Sequence, residues 1–289
     1  MKIGVEFPQT EIGNDPGRIR DFAETAEGLG YQFFQIRDHV LGADVSVRPG
    51  WTPPMKGRPP YNHKDTFHEV MVLFGYLAAV TKRMQLLTNI FVLPQRPTGL
   101  VAKQAAEVDV LSGGRLLLGV ANGWNDAEFE ALGFNYKNRA SRLEEQIHVL
   151  RLFFTQELVT FHGKYHTINA MGLNPMPVQR PIPILVGGLT EVALRRAARI
   201  GDGFCAGPTA TMKQYAKEAG RDVDKLLYMG SIGGPALKDM ELAVKRAEAE
   251  QAAGTNFCGL QILDAGLTYE QKIDVMRKFA GATKHLMKA

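Results

Sequence analysis

Apolar positions along this chain fall into two alternating kinds of run. Short runs bounded by glycine, proline or charged residues occur at residues 2–7, 31–40, 86–93, 116–120, 184–186, 204–207, 226–232 and 257–263. Runs such as Leu116, Leu117, Leu118 and Val120 are continuously apolar, which suits parallel strands covered on both faces. Between them, apolar residues recur at helical spacing. Phe22, Ala26 and Leu29 do so in a helix capped by Asn14-Asp15-Pro16 and stopped at Gly30; Val101, Ala105, Val108 and Leu111 do so over 99–111; Leu143, Ile147, Leu150 and Phe154 over 138–154. Further helices are predicted after Thr190 and over 241–253 and 269–279. Eight strand-then-helix units predict an α/β protein of the (β/α)8 TIM-barrel class rather than an open doubly wound sheet.

Three stretches depart from that rhythm. Residues 41–62 hold five prolines, Trp51 and scattered Arg48, Lys56 and Arg58, and predict a long loop after strand two on the barrel-mouth side. Residues 159–168 alternate as a β-hairpin, an insertion on the barrel. Residues 65–82 read as a helix apolar on nearly every side; such a helix must bury two faces, and the second predicts a homodimer interface.

Composition narrows the class further. With 289 residues and 45% apolar content, one barrel domain spanning 1–289 is expected. The formal charge of +4 is spread along the chain, arguing for small-molecule chemistry and against nucleic acid. Residues 2–7 already read as strand, and no run approaches the roughly 20 apolar residues of a membrane span, so a cytoplasmic protein is expected. Cys205 and Cys258 lack metal-ligand spacing and read as buried small hydrophobes.

In a barrel the chemistry belongs at the carboxyl ends of the strands. Those ends carry Glu6, Asp38, His39, Asn89, Asn122, Trp124 and Gly187-Gly188. A Schiff-base barrel would need a lysine there, and the one strand lysine, Lys2, sits at the wrong end. His162 and His166 have no third ligand nearby, so they read as structural and no metal is expected. Gly187-Gly188-Leu189-Thr190, at a strand-to-helix turn, offers free amides to a phosphate, although Gly-Gly serves tight turns for steric reasons too.

Taken in order, Arg37-Asp38-His39, Leu93-Pro94-Gln95-Arg96-Pro97, Leu111-Ser112-Gly113-Gly114-Arg115-Leu116, Gly119-Val120-Ala121-Asn122-Gly123-Trp124, Glu128-Phe129-Glu130-Ala131-Leu132-Gly133, Asn174-Pro175-Met176-Pro177-Val178-Gln179 and Ala197 to Gly203 resemble the luciferase-like flavin and deazaflavin oxidoreductases. The likeness runs from about Lys2 to Gly207 and is nearest to the branch using coenzyme F420. It implies a dimeric TIM barrel that exchanges hydride between the deazaflavin and a small organic substrate. FMN in a reduced-flavin monooxygenase is the alternative, and a non-catalytic flavin-binding barrel a third reading. The resemblance further implies a bulge in strand three with a cis peptide at Asn89-Ile90 against the ring, a cofactor contact at Asn122, Gly123 and Trp124, and a phosphate turn at Gly187, Gly188, Leu189 and Thr190. His39, with Asp38, matches the position of a proton donor or base, and Arg48, Lys56, Arg58 and Lys64 are candidates for the anionic glutamyl tail. Ala121 and Asn122 stand where the family more commonly has Gly-x-Gly-Trp.

Overall fold

A computed structural model describes residues 1–44, 47, 61–263 and 266–287. Eight parallel staves close into a barrel: β1 (Lys2–Glu6), β2 (Phe33–Ile36), β3 (Gln85–Thr88) continued by β4 (Phe91–Val92), β5 (Leu116–Ala121), β8 (Ile184–Val186), β9 (Gly203–Phe204), β10 (Leu227–Ile232) and β11 (Phe257–Leu260). The ring shuts because β3 pairs with β5 and β11 returns to β1. The hairpin β6 (Val159–His162) and β7 (Thr167–Met171) forms a separate two-stranded sheet, as the alternation at 159–168 predicts.

Two apolar layers follow from the strand period of two. Phe33, Leu87, Leu117, Leu185, Met229 and Phe257 point inward and fill the barrel. Their outward neighbours, such as Ile3, Val5, Phe34, Leu86 and Leu116, pack under the helices. Large inward residues are received by glycines: a Cβ at Gly4 would lie 2.5 Å from the Phe33 ring. A barrel this narrow has no room for side chains at both positions.

The helices alternate with the staves: α1 (Pro16–Gly28), α2 (Val70–Val80), α3 (Thr98–Ser112), α4 (Asp126–Ala131), α5 (Arg139–Thr155), α6 (Glu191–Ile200), α7 (Ala210–Glu218), α8 (Met240–Ala253) and α9 (Tyr269–Ala282). Helix α7 has no counterpart in the periodic pattern. Only Met212 and Ala216 are buried in it, too few to print a stripe on the sequence. In α3, Val101, Ala105 and Val108 are buried as expected, but Leu111 is 64% exposed and Ala102, Ala106 and Asp109 take the buried side instead. Helix α2 buries Val70, Met71, Leu73, Phe74, Leu77 and Ala78 among α1, α3 and the barrel, so neighbours within the chain cover most of its apolar surface. Val72 remains 71% exposed.

The amino-terminal face of the barrel is held by residues of the family motifs. Gly113 and Gly114 both have positive φ (68° and 83°), conformations that favour glycine, and they turn the chain so that Arg115 reaches under α2. Its guanidinium donates to the carbonyls of Ala78, Thr81 and Met84 at 2.8–3.0 Å, closing the carboxyl end of that helix. Gln179 ties the proline-rich connector to Asp109 on the same face. These are stabilising contacts far from the carboxyl ends of the strands.

Candidate functional site at the barrel mouth

At the carboxyl end of the third stave the chain carries an extra residue. Leu87 pairs with Leu117 and Phe91 with Val120, so four steps on one strand oppose three on the other. The excess is a bulge at Asn89-Ile90, whose peptide bond is cis, in the place the resemblance implies. Ile90 is thereby turned toward the next strand ends: a Cβ at Gly187 would meet Ile90 Cγ2 at 3.2 Å, Cys205 Cβ at 3.5 Å and Ala121 Cβ at 3.6 Å. Asn89 and Cys205 also line a cavity of about 290 Å3 with Ala206, Met229, Ser231 and Gln261. One layer down, buried Gln35 faces the barrel axis beside Gly259, and among the described residues neither of its amide atoms has a hydrogen-bond partner.

Asp38 holds this bulge in place. Its carboxylate accepts from the Val92 amide at 2.9 Å and from Arg96 Nη2 at 2.5 Å, and the Arg96 guanidinium lies over the Phe91 ring 4.4 Å from its centroid. Asp38 is buried and both of its oxygens are engaged with β4 and the residues that follow it. Glu6, expected to point into the mouth, accepts from Arg37 Nε at 2.8 Å and from the Leu263 amide at 2.7 Å, so it clamps the ends of the first, second and last staves.

His39 meets a different carboxylate from its sequence neighbour. Its Nδ1 lies 3.4 Å from Glu128 Oε2, and its ring stacks on Tyr61 with centroids 3.7 Å apart; Phe67 and Trp124 approach edge-on at 5.1 and 6.1 Å. Glu128 is 2% exposed and collects four donors: the Val40 amide at 2.5 Å, the Leu41 amide at 3.1 Å, the Tyr61 hydroxyl at 3.1 Å and His39. Burial pushes its carboxyl upward, but the bonds from His39 and the two amides outweigh that and hold it below the usual range. Tyr61 is pushed the other way, chiefly by burial and then by the Glu128 charge, so it stays a phenol. Asn125 Nδ2 donates to the Tyr61 hydroxyl at 2.6 Å.

The other predicted residues sit around this centre. Gly123 has a positive φ of 78° and no room for a side chain, because a Cβ would lie 2.4 Å from Val92 Cγ1 and 3.0 Å from Phe129. That tightness brings Trp124 beside His39. Asn122 points to the rim, its Oδ1 3.4 Å from Arg196 Nη1 of α6. In the glycine turn the Gly187 amide is already spent on the Val120 carbonyl at 2.8 Å, Thr190 caps α6 through the Ala193 amide, and Leu189 is 92% exposed. Ile90 and Gly187 thus pack together and Asn89 lines the cavity of about 290 Å3, His39 lines another cavity of about 310 Å3 with Tyr61 and Phe67 and has Trp124 beside it, and Asn122, Leu189 and Thr190 lie on the α6 side.

His162 and His166 serve separate bonds rather than one face. His162 Nε2 is 2.6 Å from Asn169 Oδ1, and His166 joins Thr98 Oγ1 at 2.6 Å to Glu145 Oε1 at 2.8 Å, pinning the hairpin to α3 and α5. That contact borders the larger cavity of about 530 Å3 outside the barrel, lined by Val149, Phe153, Ile168 and Leu173 among others. Among the described residues no helix is long and apolar enough to cross a membrane. Most of the 41–62 loop, with Arg48, Lys56 and Arg58, lies outside the described residues; Lys64 lies within them and is exposed.

With the geometry in place, comparison with known proteins decides the family. The model of the luciferase-like monooxygenases matches residues 2–277. The chain belongs to the luciferase-like monooxygenase family. As a member it is an oxidoreductase, and its barrel is the luciferase-like TIM barrel. An uncharacterized Mycobacterium tuberculosis protein is 34% identical over 245 residues, 80% of this chain and 82% of that one. The FMNH(2)-dependent dimethylsulfone monooxygenase of Pseudomonas putida is 35% identical over 144 residues, covering 48% of this luciferase-like chain and 39% of the enzyme. Among solved structures, an F420-dependent secondary alcohol dehydrogenase in complex with an F420–acetone adduct superposes with a TM-score of 0.73 at 18% identity, over 97% of this chain and 98% of that one. At that identity the likeness speaks for the fold.

Sequence reasoning did not assign Glu128, Tyr61 or Asn125 to the site. Glu128 was visible only as part of a motif four residues beyond Trp124. Its partners are 88 or more residues away at Val40 and His39 and 67 away at Tyr61, distances no local pattern spans.

Proposed function

We propose that this protein is an oxidoreductase that exchanges hydride between coenzyme F420 and a small organic substrate bound at the barrel mouth. One observation carries the reading: an imidazole, His39, stands beside Trp124 at the strand ends with a buried carboxylate of its own behind it. Hydride exchange at a carbon bonded to oxygen or nitrogen also moves a proton, and an imidazole, which can both accept and donate one, suits that task.

The residues present fit a flat ring system. Ile90 packs against the bare backbone of Gly187, and the adjoining cavity is lined by the polar groups of Asn89, Ser231 and Gln261 together with the Glu250 carboxylate. Ile90 would support one face of the ring, and Trp124 with His39 would flank it. The turn from Gly187 to Thr190 would take the phosphate, with the Gly188 and Leu189 amides and the α6 dipole, and Lys64 would reach the anionic tail. When bound, the deazaflavin supplies hydride exchange at one ring carbon. Asp38 has a supporting part in this scheme: it fixes β4, and hence the bulge, through Val92 and Arg96.

A reduced-FMN monooxygenase is the second reading, favoured by the activities of the P. putida enzyme and of the pyrimidine monooxygenase RutA of Escherichia coli, 33% identical over 179 residues, 56% of this chain and 46% of that one. Fluorescence titration with F420 and with FMN separates the two. Binding of F420 at least tenfold tighter than FMN is expected; the reverse order transfers the assignment to the monooxygenase.

The protein is further inferred to pair with a second copy through α2, whose Val72 lies exposed beside an apolar cleft with Ile19, Leu73 and Tyr76. Light scattering is expected to give twice the 31.9 kDa chain mass, and Val72→Asp to return it to one chain mass. An unchanged mass in the variant would move the interface elsewhere.

A further inference from the structure

We infer that Glu128 is a positioning residue that fixes the tautomer of His39, placing the proton on Nδ1 and leaving Nε2 as the nitrogen with a lone pair. The inference rests on the proposed role of His39 and adds to it the direction in which the ring can act.

An ionised carboxylate only accepts. Glu128 is held ionised by donors that approach both of its oxygens: Val40 and Leu41 amides on Oε1, Tyr61 hydroxyl and His39 on Oε2. The nitrogen of His39 that faces Oε2 is Nδ1, so in the neutral ring the hydrogen belongs there. The Tyr61 hydroxyl cannot reverse the arrangement, because Asn125 Nδ2 already donates to it at 2.6 Å and its own hydrogen is directed to Glu128. Tyr61 also stacks flat on the imidazole, with 27° between the planes, which limits rotation of the ring. The outcome is a base poised in one sense. Were a substrate oxidised here by hydride loss, His39 Nε2 would take the proton from its heteroatom, and the imidazolium formed would face the Glu128 charge. In the reverse direction the same Nε2 returns the proton as hydride reaches the substrate carbon.

Glu128→Gln makes the test sharp. The glutamine carbonyl retains the Val40 and Leu41 amides, which turns its NH2 toward His39 and Tyr61. A donor facing Nδ1 forces the ring hydrogen to Nε2. Nitrogen-15 NMR of imidazole-labelled protein, with no cofactor added, is expected to show the Nδ1–H tautomer of His39 in the native chain and the Nε2–H tautomer in Glu128→Gln. Tyr61→Phe, which keeps the stacking ring and the carboxylate, is expected to keep the native tautomer. With cofactor, Glu128→Gln is expected to lose at least about tenfold in turnover while binding F420 within threefold of the native protein. A native ring carrying its hydrogen on Nε2, or an unchanged tautomer in a folded Glu128→Gln, overturns the inference. Failure of the native protein to bind F420 or FMN would instead overturn the proposed function and leave the tautomer result standing.

Discussion

Replacing His39 with alanine is expected to lower the rate of hydride exchange by about 10²–10⁴-fold, the range supplied by a well-placed general acid or base. The change removes the one imidazole that borders Trp124 at the strand ends, while the bulge at Asn89-Ile90 and the Gly187 wall are untouched. F420 affinity is therefore expected to move by no more than a few-fold. Single-turnover kinetics with reduced or oxidised F420, run beside a fluorescence titration, reads both quantities. Unchanged kinetics with unchanged binding would remove His39 from the chemistry; no hydride exchange in the native protein despite tight binding would indicate a barrel that only carries the cofactor.

The largest loss of stability is expected from Asp38→Ala. Among the described residues it leaves Arg96, whose side chain is mostly buried, with only Glu69 Oε1 at 3.5 Å for charge compensation, and it takes from the Val92 amide its acceptor. Removing one partner of such a buried pair costs about 3–5 kcal/mol. Asp38→Asn keeps an acceptor for Val92 and is expected to lose less. Urea unfolding followed by circular dichroism checks the order native, Asn, Ala. An Asp38→Ala variant within about 0.5 kcal/mol of native, the range of ordinary surface changes, would show that the pair is not what holds the bulge.

The two predictions separate what the sequence could express from what it could not. The barrel was legible because strands buried on both faces write themselves as unbroken apolar runs, as in Leu116 to Val120, and the bulge because the motif around Asn89 resembles a known one. The end of strand two was not: residues 37–40 continue the run in sequence, yet the strand stops at Ile36, because the Arg37 amide turns to Gln9 Oε1 and the Val40 and Leu41 amides turn to Glu128. Side chains reached across the barrel mouth, and no periodicity records them. The adjacency of Asp38 and His39 misled in the same way, since neighbours on a strand end point to different sides. Asp38 turns to Arg96 and His39 to Glu128. Much of the family signature, including Arg115 and Gln179 with its bond to Asp109, holds the amino-terminal face of the barrel together. Those residues identify the family without touching the end where cofactors of different kinds would be distinguished.

The central claim is that a flat redox ring lies over the Asn89-Ile90 bulge with His39 at its edge. A crystal structure of the protein with F420 tests it directly. The account predicts the ring in contact with Ile90 and Gly187, and His39 Nε2 directed to the space beside it; a deazaflavin found in the cavity between the hairpin and α5, or with its ring turned away from the bulge, would contradict it.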